Sequence, residues 1–378
     1  MLVHAATRAV GLQWDLKTYL YAARAAVQGL NPYDPASLEA IAGRPVPFPW
    51  LYAPIALLPF LALSALPLHA ALVLWIGLKI AALGIVVLCW RRDFVPEAPW
   101  TAVALVAVFG CDAAALADLR AGNLGIFEAA LLALAFSAWL RGRARTFAAF
   151  VVAASLFKLV PILYLGLLLV PGHPARPARP GVALGAFAAF VALIAGPIHA
   201  GWPARGMEFL HNVPSALPIG DTNPTLGALL ETMARELPAF AGLAGWGVTI
   251  AWALLAILVL AIFARALARH ARSDDRRRLP AAFALVEALL SPRLMQYGFV
   301  RAGLPLLFWA PPAGPRAGAA ASAGSTGALA WAVLVSLPGI LRWASHPLTV
   351  GLWMAYVPLV FLALALVVAL HSRESRTV

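Results

Sequence analysis

Long apolar runs separated by short polar stretches dominate this chain. Runs close to the ~20 residues that a transmembrane helix needs to cross a bilayer recur at 70–88, 181–198, 247–264 and 348–370. A soluble domain has no reason to repeat apolar runs of this length. The pattern therefore predicts an all-α integral membrane protein with several transmembrane helices.

Two longer segments, 13–68 and 200–245, show a different pattern. The first begins with an amphipathic stretch at 14–30, continues through the turn Asn31-Pro-Tyr-Asp-Pro35 and then becomes rich in proline. The second mixes Trp, Gly and Pro with acidic residues and contains a short helix candidate at 225–235. Amphipathic helices of this kind lie in the plane of the membrane interface. Both segments are predicted to cover an outward-facing cavity.

Composition and charge support this prediction and give it an orientation. Hydrophobic residues make up 62% of the 378 positions and charged residues 12%, whereas soluble domains contain about 25% charged residues. The formal net charge is +12, and arginine clusters in the short loops between apolar runs. Such loops face the cytoplasm, and their charge suits anionic membrane lipids rather than nucleic acid. The sequence thus predicts a multi-pass protein of the cytoplasmic (inner) membrane, with 13–68 and 200–245 outside.

Arginine-containing loops flank two apolar stretches, 146–170 and 281–310, on both sides. A single span cannot place both of its ends in the cytoplasm. Each stretch is therefore predicted to consist of two half-helices, broken at 158–161 and at 291–298, because proline interrupts helices. Non-helical backbone at this depth is tolerated where it is buried in protein or lines a wet cavity.

These elements predict one membrane domain that covers residues 1–378. It comprises an outer loop with an amphipathic helix (1–68), spans (69–199), a second outer loop (200–245), and further spans with a cytoplasmic tail (246–378). The expected fold is a multi-span helical bundle of about seven full spans, two broken or re-entrant hairpins and outer interfacial helices.

Ionisable side chains at membrane depth are candidate functional residues, because a charge is costly to place there. They are Asp15, Lys79, Asp112, Asp118, Arg120, Lys158, Arg293 and Arg301, with Asn123 and Tyr297 close to them in the sequence. Cations that face a carboxylate across a cavity suit a lipid-linked phosphate substrate, with the carboxylate as a base. The Cys and His residues show no spacing typical of a metal site, so neither a metal nor a cofactor is expected.

Structural roles stay open for several of these residues. Asp15 could be the N-cap of the first amphipathic helix, since Asp is favoured there. Asp118 and Arg120 could pair with each other at the surface. Lys158 could extend from an apolar wall toward the interface, and Lys79 is interpreted as a paired or similarly extended lysine.

Seven short motifs in order along the chain resemble glycosyltransferase family 87. The first three are Trp14-Asp-Leu-Lys-Thr-Tyr19, Gly29-Leu-Asn-Pro-Tyr33-Asp34 and Trp50-Leu-Tyr52-Ala-Pro54. The others are Ala121-Gly-Asn123-Leu, Ser155-Leu-Phe-Lys158-Leu-Val-Pro161, Asn223-Pro-Thr-Leu-Gly, and Ser291-Pro-Arg293 with Tyr297. Their order and spacing make the resemblance specific.

The resemblance implies a GT-C type membrane glycosyltransferase, similar to mannosyltransferases, that acts without a nucleotide site. Such enzymes take a sugar from a polyprenyl-phosphate donor on the outer side of the cytoplasmic membrane and pass it to a lipid or glycan acceptor. An acidic residue on the first outer loop is the general base, and Asp15 matches that position. Lys158, Arg293 and Arg120 are expected to bind the donor phosphate. The residues expected to bind substrate are Tyr19, Tyr33, Tyr52, Asn123, Asn223 and Tyr297.

Two other functions remain open. Broken helices at membrane depth also form the sites of transporters, so a transporter or flippase of lipid-linked substrates is possible. The third hypothesis is a non-catalytic scaffold derived from a glycosyltransferase. The family places a complete transmembrane helix before the catalytic aspartate, whereas 14 residues precede Asp15 here. Either a segment lies upstream, or the protein is a divergent or inactive member.

Overall fold

The computed structural model describes residues 12–170, 179–203, 206–209, 223–270, 277–291, 294–308, 320–344 and 356–363, and these ranges contain helices and loops without a β-strand. The helices of the first half are α1 (Trp14–Val27), α2 (Pro35–Ala42), α3 (Leu58–Ser64), α4 (Leu68–Cys89), α5 (Trp100–Ala121), α6 (Gly125–Leu140) and α7 (Ala144–Phe157). Those of the second half are α8 (Arg179–His199), α9 (Leu226–Glu236), α10 (Trp246–His270), α11 (Arg278–Leu290), α12 (Gly303–Phe308) and α13 (Ala320–Ala344).

Four helical stretches in the described part of the chain are long and apolar enough to cross a membrane. They cover Leu68–Phe94, Trp100–Ala121, Arg179–His199 and Trp246–Arg265. Three of them coincide with apolar runs found in the sequence, and the run at 348–370 lies mostly outside the described residues. The all-helical prediction is confirmed for the described residues, and the four stretches support a membrane protein, while the full number of spans stays a prediction.

Both helix interruptions lie where the sequence places them. Helix α7 ends at Phe157, Lys158 is extended with φ −137° and ψ 130°, and a separate 3-10 helix follows at Val160–Leu169. Helix α11 ends at Leu290, and Ser291 is extended with φ −61° and ψ 124°. The insertion of these broken helices as re-entrant hairpins stays a prediction.

The two predicted interfacial helices form close to their predicted bounds. Helix α1 begins at Trp14 as predicted but ends at Val27, three residues early. Helix α9 follows the N-cap Thr225, whose side chain accepts a hydrogen bond from the Ala228 amide at 3.2 Å, in close agreement with the predicted 225–235. A Thr cap of this kind satisfies an amide that the helix itself leaves without a partner.

The described residues fall into two compact units. The first takes residues within Met1–Ile85, Leu116–Leu169 and Ala175–Leu217, and the second takes those within Val86–Ala115, Val170–Pro174 and Pro218–Val378. The prediction of one domain over the whole chain stays a prediction. The core of the first unit contains a buried aromatic cluster, and the residues nearest to the candidate carboxylate lie in this unit.

Candidate functional site

Asp15 and Tyr19 lie one turn apart at the beginning of α1, so they share the buried face of this helix. Asp15 is only 2% exposed and Tyr19 only 1%. The N-cap of α1 is Gln13 and not Asp15, and the Asp15 carboxylate instead accepts a hydrogen bond from a distant side chain. The alternative interpretation of Asp15 as a helix cap is therefore wrong.

The distant side chain is Asn123, which lies in the turn between α5 and α6. Its Nδ2 is 2.6 Å from the Asp15 Oδ2 and 2.9 Å from the Tyr19 hydroxyl. The same nitrogen is 3.2 Å from the Tyr52 hydroxyl. One buried amide thus joins a carboxylate and two phenols that are up to 108 residues away in the sequence.

Two further contacts extend this group of polar atoms. The Tyr19 and Tyr52 hydroxyls are 2.8 Å apart, and the Tyr33 hydroxyl donates to the Tyr52 carbonyl oxygen at 3.1 Å. Asp15, Tyr19, Tyr52 and Asn123 form what we call the carboxylate cluster. The structure therefore brings these four predicted site residues together, with Tyr33 behind them.

Aromatic rings enclose one side of the carboxylate cluster. Edge-on or tilted contacts with centroid distances of 4.6–5.6 Å connect Trp50, Tyr52, Tyr19, Phe60, Trp75 and Phe127. Each such contact stabilises the packing by roughly 0.5–1.5 kcal/mol beyond burial alone. The rings restrict the rotamers of Tyr19 and Tyr52 and keep bulk water away from Asp15.

The surroundings of Asp15 change its acidity. Burial raises the pKa of the Asp15 carboxyl from 3.8 to about 7. The hydrogen bond from Asn123 opposes this rise, the charge of Asp118 adds to it, and the charges of Lys79 and Lys158 oppose it. A carboxyl with a pKa near 7 is an effective proton acceptor at neutral pH.

The turn that carries Asn123 requires glycine at position 122. Gly122 has a φ of +76°, and a Cβ built on it would lie 2.9 Å from the Leu16 Cβ and 3.2 Å from the Leu16 amide nitrogen. The Trp75 indole donates to the Gly122 carbonyl at 2.9 Å, and the Gln13 backbone N–H donates to the Arg120 carbonyl at 2.9 Å. These contacts fix the turn against the beginning of α1.

Replacing Gly122 with alanine is expected to destabilise the protein by about 1–3 kcal/mol and to displace Asn123 from Asp15, because the new methyl group meets the backbone of α1 and the residue is strained at positive φ. Thermal unfolding in detergent measures the first effect, and the pH at which Asp15 titrates reports the second. Gly43→Ala is the matched control, since Gly43 has a φ of +65° with open space around it. Equal destabilisation of both variants would contradict the close packing.

Lys158 pairs with an acidic residue that the sequence did not point to. Its Nζ is 3.0 Å from the Glu128 Oε2, with 23% of the Lys158 side chain and 1% of the Glu128 side chain exposed. Glu128 is the single charged residue in the otherwise apolar helix α6. The charge of Lys158 also lowers the pKa of Asp15, which places a cation within electrostatic reach of the carboxylate cluster.

Lys79 and Asp118 form a fully buried ion pair between α4 and α5. The interpretation of Lys79 as a paired lysine is confirmed. The alternative pairing of Asp118 with Arg120 is wrong, because Asp118 bonds to Lys79 while the Arg120 side chain is exposed. The Arg120 backbone oxygen contacts Gln13, and a role of its guanidinium in phosphate binding stays a prediction.

Two other predicted site residues, Asn223 and Tyr297, belong to the second unit. The Asn223 Oδ1 accepts a hydrogen bond from the Leu294 amide at 2.8 Å, just beyond the interruption that follows α11. Arg293 lies outside the described residues. The backbone of Tyr297 is part of a 3-10 helix at Gln296–Ala302, and the structure does not describe its side chain. Their binding roles stay predictions.

Two further polar pairs lie in the second unit. The Gln296 Nε2 donates to the Asp112 carboxylate and to its backbone oxygen, both at 2.9 Å. Arg301 pairs with Glu287 at 2.7 Å, and both side chains are 5% exposed. Cys111, Asp112 and Ala113 all have positive φ, so α5 contains a left-handed interruption at this point.

Among the described residues, no group of three or more His, Cys, Asp or Glu side chains could hold a metal ion.

The first unit of this helical protein contains a buried carboxylate, an ammonium group and a wall of aromatic rings. The chain matches glycosyltransferase family 87 over residues 50–292, more than half of its length, and it belongs to that family. The matched region includes Tyr52, Asn123, Lys158 and Asn223. None of the curated proteins compared with the chain matches it. The family indicates a glycosyltransferase, in agreement with the prediction from the sequence motifs.

Proposed function

We propose that this glycosyltransferase moves a sugar from a polyprenyl-phosphate donor to a hydroxyl group of a lipid or glycan acceptor, on the outer face of the cytoplasmic membrane. The observation that carries the proposal is the Asp15 carboxylate, which is buried and held 2.6 Å from Asn123. Asp15 lies before the residues matched to the family, so its role rests on this geometry and on the sequence motif around it.

Asp15 is the general base of the proposed reaction. The acceptor oxygen attacks C1 of the donor sugar while its proton passes to the Asp15 carboxylate. The bond between C1 and the phosphate oxygen breaks, and polyprenyl phosphate leaves with the electron pair. Burial supports this role, because the raised pKa of Asp15 matches the acidity that base catalysis requires at neutral pH.

The leaving phosphate gains negative charge in this step and therefore requires a cation. Lys158 supplies one, because it follows the end of α7 and remains 23% exposed although it contacts Glu128. An ammonium group that stabilises charge only as it develops contributes to the rate and not merely to binding. Arg293 and Arg120 are the further cations predicted for this phosphate.

The carboxylate cluster also suits the recognition of a sugar. The Tyr19 and Tyr52 hydroxyls can donate to or accept from sugar hydroxyls, and the rings around them fit the apolar face of a pyranose. The Asn123 Oδ1 is buried and has no hydrogen-bond partner among the described residues. A sugar hydroxyl that donates to this oxygen would recover the roughly 1–3 kcal/mol that an unsatisfied buried group costs. Mannose, another hexose or a pentose would fit this chemistry.

The rate of transfer is expected to increase with pH through an inflection near 7, because only the deprotonated Asp15 accepts a proton. Stability should change in the opposite direction. Since burial raises the pKa of Asp15 in the folded protein, its contribution to stability is complete below about 3.8 and is lost as the pH rises through about 7. Initial rates and unfolding temperatures measured from pH 5 to 9 test whether the rate increases and the stability decreases with pH. A rate that is constant over this range contradicts the assignment of the base.

The donor class can be tested with two donors that carry the same labelled sugar. The purified protein in liposomes receives either a polyprenyl-phosphate sugar or a nucleotide diphosphate sugar, together with a lipid extract as the acceptor. Transfer from the lipid donor alone supports the proposal. Transfer from the nucleotide donor would overturn it, and movement of the intact lipid donor across the bilayer without a product would favour the transporter hypothesis.

A further inference from the structure

The ion pair between Lys79 and Asp118 occupies an unusual place for two charges. Both side chains are fully buried, and both lie on helices that are apolar enough to span a membrane. A buried ion pair stabilises a protein little, since well-packed apolar residues of similar size are often equally stable or better. Stability therefore does not explain why two charges occupy these positions, and charges at membrane depth commonly serve function.

The contacts of the pair lead directly to the carboxylate cluster. The Lys79 Nζ donates to the Asp118 carboxylate and, at 2.7 Å, to the Asp118 backbone oxygen. This oxygen also accepts from the amides of Gly122 at 2.9 Å and Asn123 at 3.3 Å. One carbonyl group thus joins the ammonium of α4 to the turn that follows α5. The side chain at the end of this turn is Asn123, which holds the Asp15 carboxylate.

The pair is also within electrostatic reach of Asp15. The charge of Asp118 raises the pKa of Asp15 and that of Lys79 lowers it, so the two act in opposite directions. The other groups near this carboxyl are Lys158, Asn123 and the phenols of the carboxylate cluster. Removing one member of the pair would leave the charge of the other uncompensated near Asp15.

We propose that Lys79 and Asp118 are positioning residues of the transferase, which hold the Asn123 turn against Asp15 and keep the local charge balanced. The inference rests on the proposed role of Asp15 as the base. Lys79 donates to the Asp118 carbonyl in the last turn of α5, where the partial negative charge of the helix dipole is concentrated, and this helps to fix the first residues beyond the helix. Neither side chain is proposed to touch the substrate.

The double variant Lys79→Met with Asp118→Leu separates positioning from stability. Apolar replacement of the whole pair should preserve the unfolding temperature, whereas kcat should fall roughly 10- to 100-fold because the turn before Asn123 loses its contact with the Lys79 ammonium. Rates are measured with the labelled polyprenyl-phosphate sugar that the wild-type protein uses best. An unchanged kcat would overturn the proposal. A double variant that does not fold would show that the pair serves stability, and would overturn it as well.

The single variant Asp118→Asn tests the charge balance through the pH dependence of the rate, which a purely structural role of the pair would not change. It keeps the backbone carbonyl and Lys79 but removes the anion, so the midpoint of the pH–rate profile should fall by about one pH unit. The control is the double variant Glu231→Gln with Arg235→Gln, which removes an exposed ion pair. It should leave the midpoint of the pH–rate profile unchanged. An unmoved midpoint in Asp118→Asn would contradict the proposed charge balance.

The Asp15→Asn variant in the same assay distinguishes a failure of the proposed base from a failure of the inference about Lys79 and Asp118. Activity retained in Asp15→Asn means that the proposed base is wrong. Loss of activity in Asp15→Asn, combined with a wild-type rate and a wild-type midpoint in the variants of the pair, means that Asp15 is the base and that the inference about Lys79 and Asp118 is wrong.

Discussion

Replacing Asp15 with asparagine is expected to lower kcat by about 10²–10⁴-fold, the range that positioned general bases contribute. The amide has the shape of the carboxylate, and its oxygen can still accept the hydrogen bond from Asn123. It cannot take the proton of the acceptor hydroxyl. Single-turnover transfer of a labelled sugar measures the loss, and binding of the labelled donor in the same preparation should stay unchanged.

Asp34→Asn is the matched control for this variant. The Asp34 carboxylate caps α2 by accepting from the Ala36 amide at 3.1 Å, and asparagine is an equally good cap. The control should therefore keep both the wild-type rate and the wild-type stability. If Asp15→Asn retained more than a tenth of the wild-type kcat while Asp34→Asn behaved as expected, Asp15 would not be the base.

The loss of Lys158 is also expected to have a large effect. A hydrogen bond to a charged group contributes about 1.5–3 kcal/mol, so Lys158→Met should lower kcat/KM by roughly 10- to 100-fold. The change also removes the ion pair with the buried Glu128, and an uncompensated carboxylate in that position would destabilise the fold. The substitution is therefore best combined with Glu128→Gln.

Comparison of Glu128→Gln with the double variant Lys158→Met and Glu128→Gln isolates the cation. The single variant keeps the ammonium and should keep most of its activity, whereas the double variant should be slow at a similar unfolding temperature. Lys17→Met, on the same helix as Asp15, is a control for the general loss of positive charge. Equal activity of the single and double variants would exclude Lys158 from phosphate binding.

Much of the fold follows from local patterns in the sequence. Apolar length predicts the helices at Leu68–Phe94, Arg179–His199 and Trp246–Arg265 because nothing but a bilayer selects for that length. The helix break at Lys158 follows from Pro161, whose ring removes a donor from the helix. By contrast, Cys111 and Asp112 give no local indication of positive φ, since neither is glycine.

The candidate site is only partly visible in the sequence. Motif resemblance selects Asp15 and Asn123, yet the contact that joins them spans 108 positions and arises from packing of the turn at Gly122 against α1. The sequence left the N-cap role of Asp15 open because both roles favour the same residue type. Glu128 was missed, although a single acid in an apolar helix is the kind of residue that indicates a buried partner.

The most direct test of the central claim compares membranes that contain the wild-type protein with membranes that contain the Asp15→Asn variant. Each receives a panel of radiolabelled polyprenyl-phosphate sugars, and the label that moves to a new lipid or glycan product is measured at pH 8. If Asp15 is the base, the wild type transfers sugar from at least one donor, and Asp15→Asn loses this transfer at equal protein levels. Equal transfer by both membranes, or no transfer from any lipid donor, would contradict this proposal.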